Sequence, residues 1–132
     1  SKQLTNLSIN YIKSLIIALK QDPVTSNTPI ILFSREPNCN SKTLIETSAD
    51  CISLYLSMND FDVELARGKT ALQGNLDPKI LLKSEEVIKN ETYKILDKFK
   101  DFPGYIFNLG HGLTPDIDPE KVKYLTEIVR EF

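Results

Sequence analysis

At 132 residues the chain has the length of one domain, and 41% hydrophobic with 26% charged residues is the composition of a packed globular protein, which excludes disorder. Sixteen basic and eighteen acidic side chains, interleaved along the chain, leave a net charge of −2 and exclude the basic footprint of a nucleic-acid binder. The longest apolar run, Leu15–Leu19, is too short for a bilayer, and the N-terminus lacks a signal-peptide pattern, so the expectation is a cytoplasmic protein with no membrane partner.

From Leu4 to Gln21 the spacing of Ile9, Ile12, Ile16 and Leu19 predicts a helix, stopped by Asp22-Pro23. Pro29–Ser34 (PIILFS) is a continuous apolar run and predicts a strand buried on both sides, as in a parallel sheet. Arg35–Asn40 reads as a polar loop, and Ser41 as the cap of a short helix reaching Ala49. Cys51–Leu56 is a second strand, and Asn59–Arg67 a short helix ended by Gly68. Thr70–Gln73 is a third strand. After it, Asp77 caps a helical turn begun by Pro78, and Ser84 caps a longer helix with Ile88, Thr92, Ile95, Leu96 and Phe99 inward. Tyr105–Asn108 is a fourth strand, Leu109–Ile117 a glycine-bearing loop, and Asp118-Pro119 starts a last helix that buries Val122, Leu125, Ile128 and Val129.

A helix followed by four strand–helix units implies an α/β fold with parallel strands. Two architectures satisfy it: a small open sheet with helices on both faces, or half of an eight-stranded barrel, which needs about 250 residues when complete. The helix that precedes any strand, and a first residue Ser1 in place of methionine, point to a piece of something longer.

In either architecture ligands gather at the C-terminal ends of the strands. The segments that reach this edge are Arg35-Glu36, Ser57–Asn59, Gln73–Asn75 and Gly110-His111-Gly112. Glycines on both sides of His111 let a ligand approach closely, and an imidazole there can donate to a carboxylate or shuttle a proton. The plainer readings stand beside these: His111, Asn75 and Asp77 as turn and cap residues, Arg35 with Glu36 as a solvated pair, the Tyr and Phe residues as core. Cys39 and Cys51 lie at no metal-like spacing from each other or from His111, the only histidine, and are expected to be small buried hydrophobes with no metal bound.

The stretch Ala71-Leu72-Gln73-Gly74-Asn75-Leu76-Asp77-Pro78 is followed about thirty residues later by Tyr105-Ile106-Phe107-Asn108-Leu109-Gly110-His111-Gly112 and then by Thr114–Val122. In wording and separation it resembles the C-terminal signatures of the uroporphyrinogen decarboxylase family, with a collinear likeness from Leu4 to Arg67. The resemblance implies that residues 1–132 form one partial domain, the C-terminal half of a (β/α)8 TIM barrel. It implies a cofactor-free carboxy-lyase of haem biosynthesis, forming a homodimer, that takes four acetate side chains of uroporphyrinogen III to the methyls of coproporphyrinogen III. His111 is then the substrate-binding residue of this chain, with no catalytic residue assigned in it. The family's arginine-bearing motif, pyrrole-holding aspartate and substrate-contacting tyrosine and serine are expected upstream of Ser1. This chain alone is therefore expected to be inactive and to pair with an N-terminal half.

Two departures stand out. Ser53-Leu54-Tyr55-Leu56 replaces the family's Gly-Leu-Asp-Trp, and Ser34-Arg35-Glu36-Pro37 replaces a lysine followed by small residues after Phe-Ala. A zinc- and cobamide-linked methyltransferase of the same superfamily expects a His-x-Cys pair, whereas Asn38 precedes Cys39. A non-catalytic half-barrel assembly module is the alternative of a different class; Tyr55 favours it and the Gly-His-Gly loop opposes it.

Overall fold

The computed structural model describes residues 2–35, 41–55 and 62–132. Helix α1 spans Lys2–Gln21, burying Ile9 and Ile16 and half-burying Ile12 and Leu19, the stripe set by their spacing. It stops at Asp22, whose carboxylate accepts from the Val24 N–H at 2.8 Å and turns the chain.

Strands β1 (Ile31–Phe33), β2 (Cys51–Ser53), β3 (Ala71–Gln73) and β4 (Tyr105–Ile106) form one parallel sheet in the order β1-β2-β3-β4. The register aligns Leu32, Ile52, Leu72 and Tyr105 in one row and Phe33, Ser53, Gln73 and Ile106 in the next. Side chains alternate between faces along a strand, so the two rows point oppositely. The first row belongs to a core that takes in Ile9 of α1, Leu44, Ala66 and Phe99. The second faces away from these helices.

That asymmetry corrects the expectation for the first strand. Ile31 is 50% exposed and Phe33 45%, with only Leu32 turned to the core. β1 lies at the sheet's edge with one face uncovered, so an apolar run that reads as doubly buried is covered on one side. The strands are also shorter than their apolar runs, because the ladder breaks at the C-terminal edge. One parallel bridge, Leu76 with Leu109, pairs the segments beyond it.

Helix α2 spans only Ser41–Ile45, short of the expected Ala49. The Thr47 hydroxyl donates back to the Leu44 carbonyl at 2.6 Å and Ser48 turns left-handed at φ 62°, local bonding that competes with the helix. Nor does the Ser41 hydroxyl serve this helix; it accepts from the Asp62 N–H at 2.7 Å, tying α2 to the entry of α3 (Val63–Ala66). Asp62 caps α3 by accepting from Leu65 N–H at 3.1 Å, and Gly68 follows at φ 72° as expected. The expected beginning of this helix, from Asn59, lies outside the described residues.

The later caps match their sequence signals. Asp77 accepts from Lys79 N–H at 2.9 Å and starts the 3₁₀ turn Pro78–Leu82. Ser84 caps α4 (Glu85–Phe99), and Asp118 caps α5 (Pro119–Glu131). Leu81, Ile88, Leu125 and Ile128 close a second core with Leu76 and Ile117, which seats the two loops after β3 and β4. Cys51 is buried, and burial pushes its thiol up; Cys39 lies outside the described residues. Among the described residues no helix is long and apolar enough to cross a membrane.

At the opposite end of the sheet Asp50 joins three elements. Its carboxylate accepts from the Ile30 N–H at 2.7 Å and meets Lys20 Nζ of α1 at 2.7 Å, while its own carbonyl accepts from Ala71 N–H. The Lys20 hydrogen bond holds the Asp50 carboxyl below its ordinary value of 3.8. A lowered folded-state value adds stability above 3.8 that is lost as pH falls through the folded value. Because the side chain is 43% exposed, screening trims the effect, and Asp50→Asn should cost about 1 kcal/mol near neutrality. Urea unfolding should show this gap closing below 3.8. A gap that persists in acid would mean that the charge is not its source.

Candidate functional site

At the C-terminal ends of the strands the chain turns sharply after Gln73. Gly74 sits at φ 108°, and the Gly74–Asn75 peptide is cis. The Gly74 N–H donates to the Ile106 carbonyl at 3.1 Å, and its own carbonyl accepts from the Tyr105 hydroxyl. Tyr105 stacks on Phe99 with ring centroids 4.3 Å apart, and burial pushes its phenol well above the usual range. It is therefore a neutral donor that pins this turn to α4.

The loop carrying His111 is stitched to the same turn. Leu76 N–H donates to the Asn108 carbonyl at 3.2 Å, and Gly110 N–H donates to the Leu76 carbonyl at 2.8 Å. Asn108 closes its own corner by accepting from Leu109 N–H at 2.8 Å. These bonds set His111 at the rim of an open cleft of about 300 Å³. Phe33, Ser53 and Gln73, from the row that faces away from the helices, line it. Gln73 Nε2 donates to Ser53 Oγ at 3.0 Å, which fixes the polar part of that lining.

The His111 Nδ1 lies 2.7 Å from the Gly112 carbonyl. A carbonyl only accepts, so Nδ1 carries a proton and Nε2 is the nitrogen left for a ligand. Protonated, Nε2 donates to an anion; neutral, it accepts a proton.

Tyr55 joins the parts. Its ring lies 6.2 Å from His111 and 6.2 Å from Phe33, and the Arg35 guanidinium carbon sits over it at 5.6 Å from the centroid. Asn75 Nδ2 donates to the Tyr55 carbonyl at 3.1 Å, so Asn75 positions this residue from the next strand.

The fold thus brings Arg35, Gln73 and His111 to one edge. Asp77 is a cap, as its plainer reading had it. Glu36 and Ser57–Asn59 lie outside the described residues, and Arg35 is stacked on an aromatic ring in addition to whatever solvent it meets. Sequence reasoning marked Tyr55 only as a departure from a pattern and missed Phe33 and Ser53 as cleft residues. Period-two alternation, combined with the strand register, is the signal that finds them. Among the described residues no three His, Cys, Asp or Glu side chains gather as metal ligands.

The family model described as uroporphyrinogen decarboxylase matches residues 1–132. Proteins named uroporphyrinogen decarboxylase from Alcanivorax borkumensis and Vesicomyosocius okutanii are 39% and 40% identical over 126 and 129 residues. The one from Chlorobaculum parvum is 37% identical over 131 residues. These alignments cover 95%, 96% and 94% of this chain, yet the chain spans only 36% of each relative's length. With a family model matching from the first residue to the last, the chain belongs to the uroporphyrinogen decarboxylase family.

Proposed function

We propose that residues 1–132 are one partial domain, the C-terminal half of a (β/α)8 barrel in a uroporphyrinogen decarboxylase, and that the cleft beside His111 takes the tetrapyrrole substrate. The observation that carries this reading is the stitching of the Gly110–Gly112 loop to the turn after β3, which aims His111 at the open row of the sheet. Strands in sequential order with the core on one face support the half-barrel, because an open doubly wound sheet packs helices on both faces. The row Phe33-Ser53-Gln73-Ile106, which faces away from the helices, is then the barrel's interior, closed by the preceding half.

The reaction makes coproporphyrinogen III from uroporphyrinogen III by removing four acetate carboxyls, without a cofactor. Loss of CO2 leaves an electron pair on the carbon attached to a pyrrole. Protonating the ring lets it accept that pair as CO2 leaves; a proton added to the side-chain carbon then makes the methyl while the ring gives its own added proton back. The protein's task is preorganised electrostatics: donors fixed where substrate carboxylates sit and where charge develops. His111 serves this task through Nε2, its other nitrogen being committed to Gly112. The protein acts in the cytoplasm as a homodimer, and residues of the preceding half complete the cleft.

The test is decarboxylation of uroporphyrinogen III followed by chromatography of the products. The full-length protein should yield coproporphyrinogen III, whereas the 132-residue chain alone should be inactive and regain activity on mixing with the N-terminal half. A full-length protein that folds but releases no CO2 would leave the non-catalytic assembly module as the better reading.

A further inference from the structure

On the decarboxylase reading of the same cleft, we propose that Arg35 is a second anion anchor, holding a substrate carboxylate beside His111, and that Tyr55 is the platform that presents it. Arg35 follows β1 directly, at the edge of the sheet where the chain leaves the ladder. Its guanidinium carbon lies 5.6 Å from the Tyr55 ring centroid, within the reach of a cation–π contact. An aromatic ring is not a carboxylate, so the contact leaves the charge of the guanidinium uncompensated, and its fork of N–H donors suits a carboxylate bound in bidentate fashion.

Among the described residues lysines pair with carboxylates away from the cleft, as Lys20 does with Asp50 and Lys121 with Glu85. Among the described residues Arg35 has no carboxylate within salt-bridge distance, although its side chain is held in place by an aromatic ring. A cation placed over an aromatic ring at a ligand-facing edge, with no carboxylate beside it among the described residues, suits an anion that arrives from outside. Tyr55 lies 6.2 Å from the His111 ring, so Arg35 and His111 flank one aromatic surface. Two donors so arranged suit a substrate carrying several carboxylates on pyrrole rings: the rings meet Phe33 and Tyr55, and the acids meet Arg35 and His111. His111 by itself offers one donor. Arg35 supplies the permanent charge, since a guanidinium stays protonated throughout the range in which imidazole titrates.

The experiment uses the full-length protein and uroporphyrinogen III. In Arg35→Gln, KM should rise about tenfold with kcat within about twofold, the mark of lost substrate anchoring, because one charge-assisted hydrogen bond is removed. Arg35→Lys, which keeps the charge but loses the fork, should recover part of the loss. Raising the salt concentration should weaken the wild type more than Arg35→Gln. Arg35 is exposed, so circular dichroism should report an unchanged fold. An active wild type whose KM and salt dependence do not change in Arg35→Gln overturns the anchor and leaves the decarboxylase reading in place. A folded wild type without decarboxylase activity defeats that reading, and the anchor falls with it.

Discussion

Replacing Gly74 with alanine should destabilise the chain by about 3 kcal/mol or more, enough to consume much of the margin of a small domain. Two independent causes add. The residue holds φ 108°, a conformation that costs a side-chain-bearing residue roughly 1–3 kcal/mol. A Cβ built there would also lie 2.8 Å from the Leu54 carbonyl oxygen. That oxygen is backbone, and the Leu54 N–H is bonded to the Gln73 carbonyl at 2.7 Å, so it cannot yield without loosening β2 from β3. Gly112 is the control, because a Cβ there meets nothing within 4 Å. Denaturant unfolding of the two alanine variants should separate them widely in midpoint. Equal midpoints would mean that the turn after β3 relaxes freely.

His111→Ala should lower kcat/KM for uroporphyrinogen about a hundredfold in the full-length protein, with the melting temperature nearly unchanged. The stability half of this expectation follows from the surroundings of the side chain. Among the described residues its hydrogen bond runs to the adjacent Gly112 carbonyl, and the Tyr55 ring is 6.2 Å away. The loop is held instead by backbone bonds between Leu76 and both Asn108 and Gly110, which the substitution leaves alone. The activity half follows from the loss of Nε2, the nitrogen left for a ligand. On the proposed decarboxylase reading partly decarboxylated intermediates should accumulate, because each of four losses would need the substrate held anew. Chromatography of the porphyrins at partial conversion reads this out. Wild-type kinetics in the variant would reduce His111 to a turn residue.

The helix starts were legible in the sequence because capping is a local affair. Asp77, Ser84 and Asp118 each satisfy an N–H two or three residues ahead, so spacing alone reveals them. What depended on distant partners was not legible. Ser41 looks like a cap for its own helix, yet its hydroxyl goes to Asp62, twenty-one residues on. PIILFS looks like a buried strand because periodicity reports side-chain chemistry and says nothing about which face of a sheet is covered. The site divided in the same way. His111 stood out between two glycines, whereas Tyr55 becomes a site residue only when the register brings the ends of β1, β2 and β4 together. The resemblance to a known family drew attention to Tyr55 and Arg35 as departures, and the geometry shows that the two departures touch.

The sequential strand order bears on how the protein assembles and where it is weakest. Ile31 pairs with Cys51, Cys51 with Ala71 and Leu72 with Tyr105, so each new strand closes a loop of roughly twenty to thirty residues onto the edge that the previous one presented. Such a ladder can lengthen one rung at a time, as a zipper does. Among the described residues its inner rungs, β2 and β3, have neighbours on both sides, and its outer rungs, β1 and β4, on one side only. In this chain by itself local opening therefore begins at the outer rungs. Arg35 leaves from one of them and the His111 loop from the other, while Tyr55 between them issues from an inner rung. A ligand gripping both ends would act as a clasp across the sheet, so occupancy of the cleft and closure of the two loosest rungs would become one equilibrium.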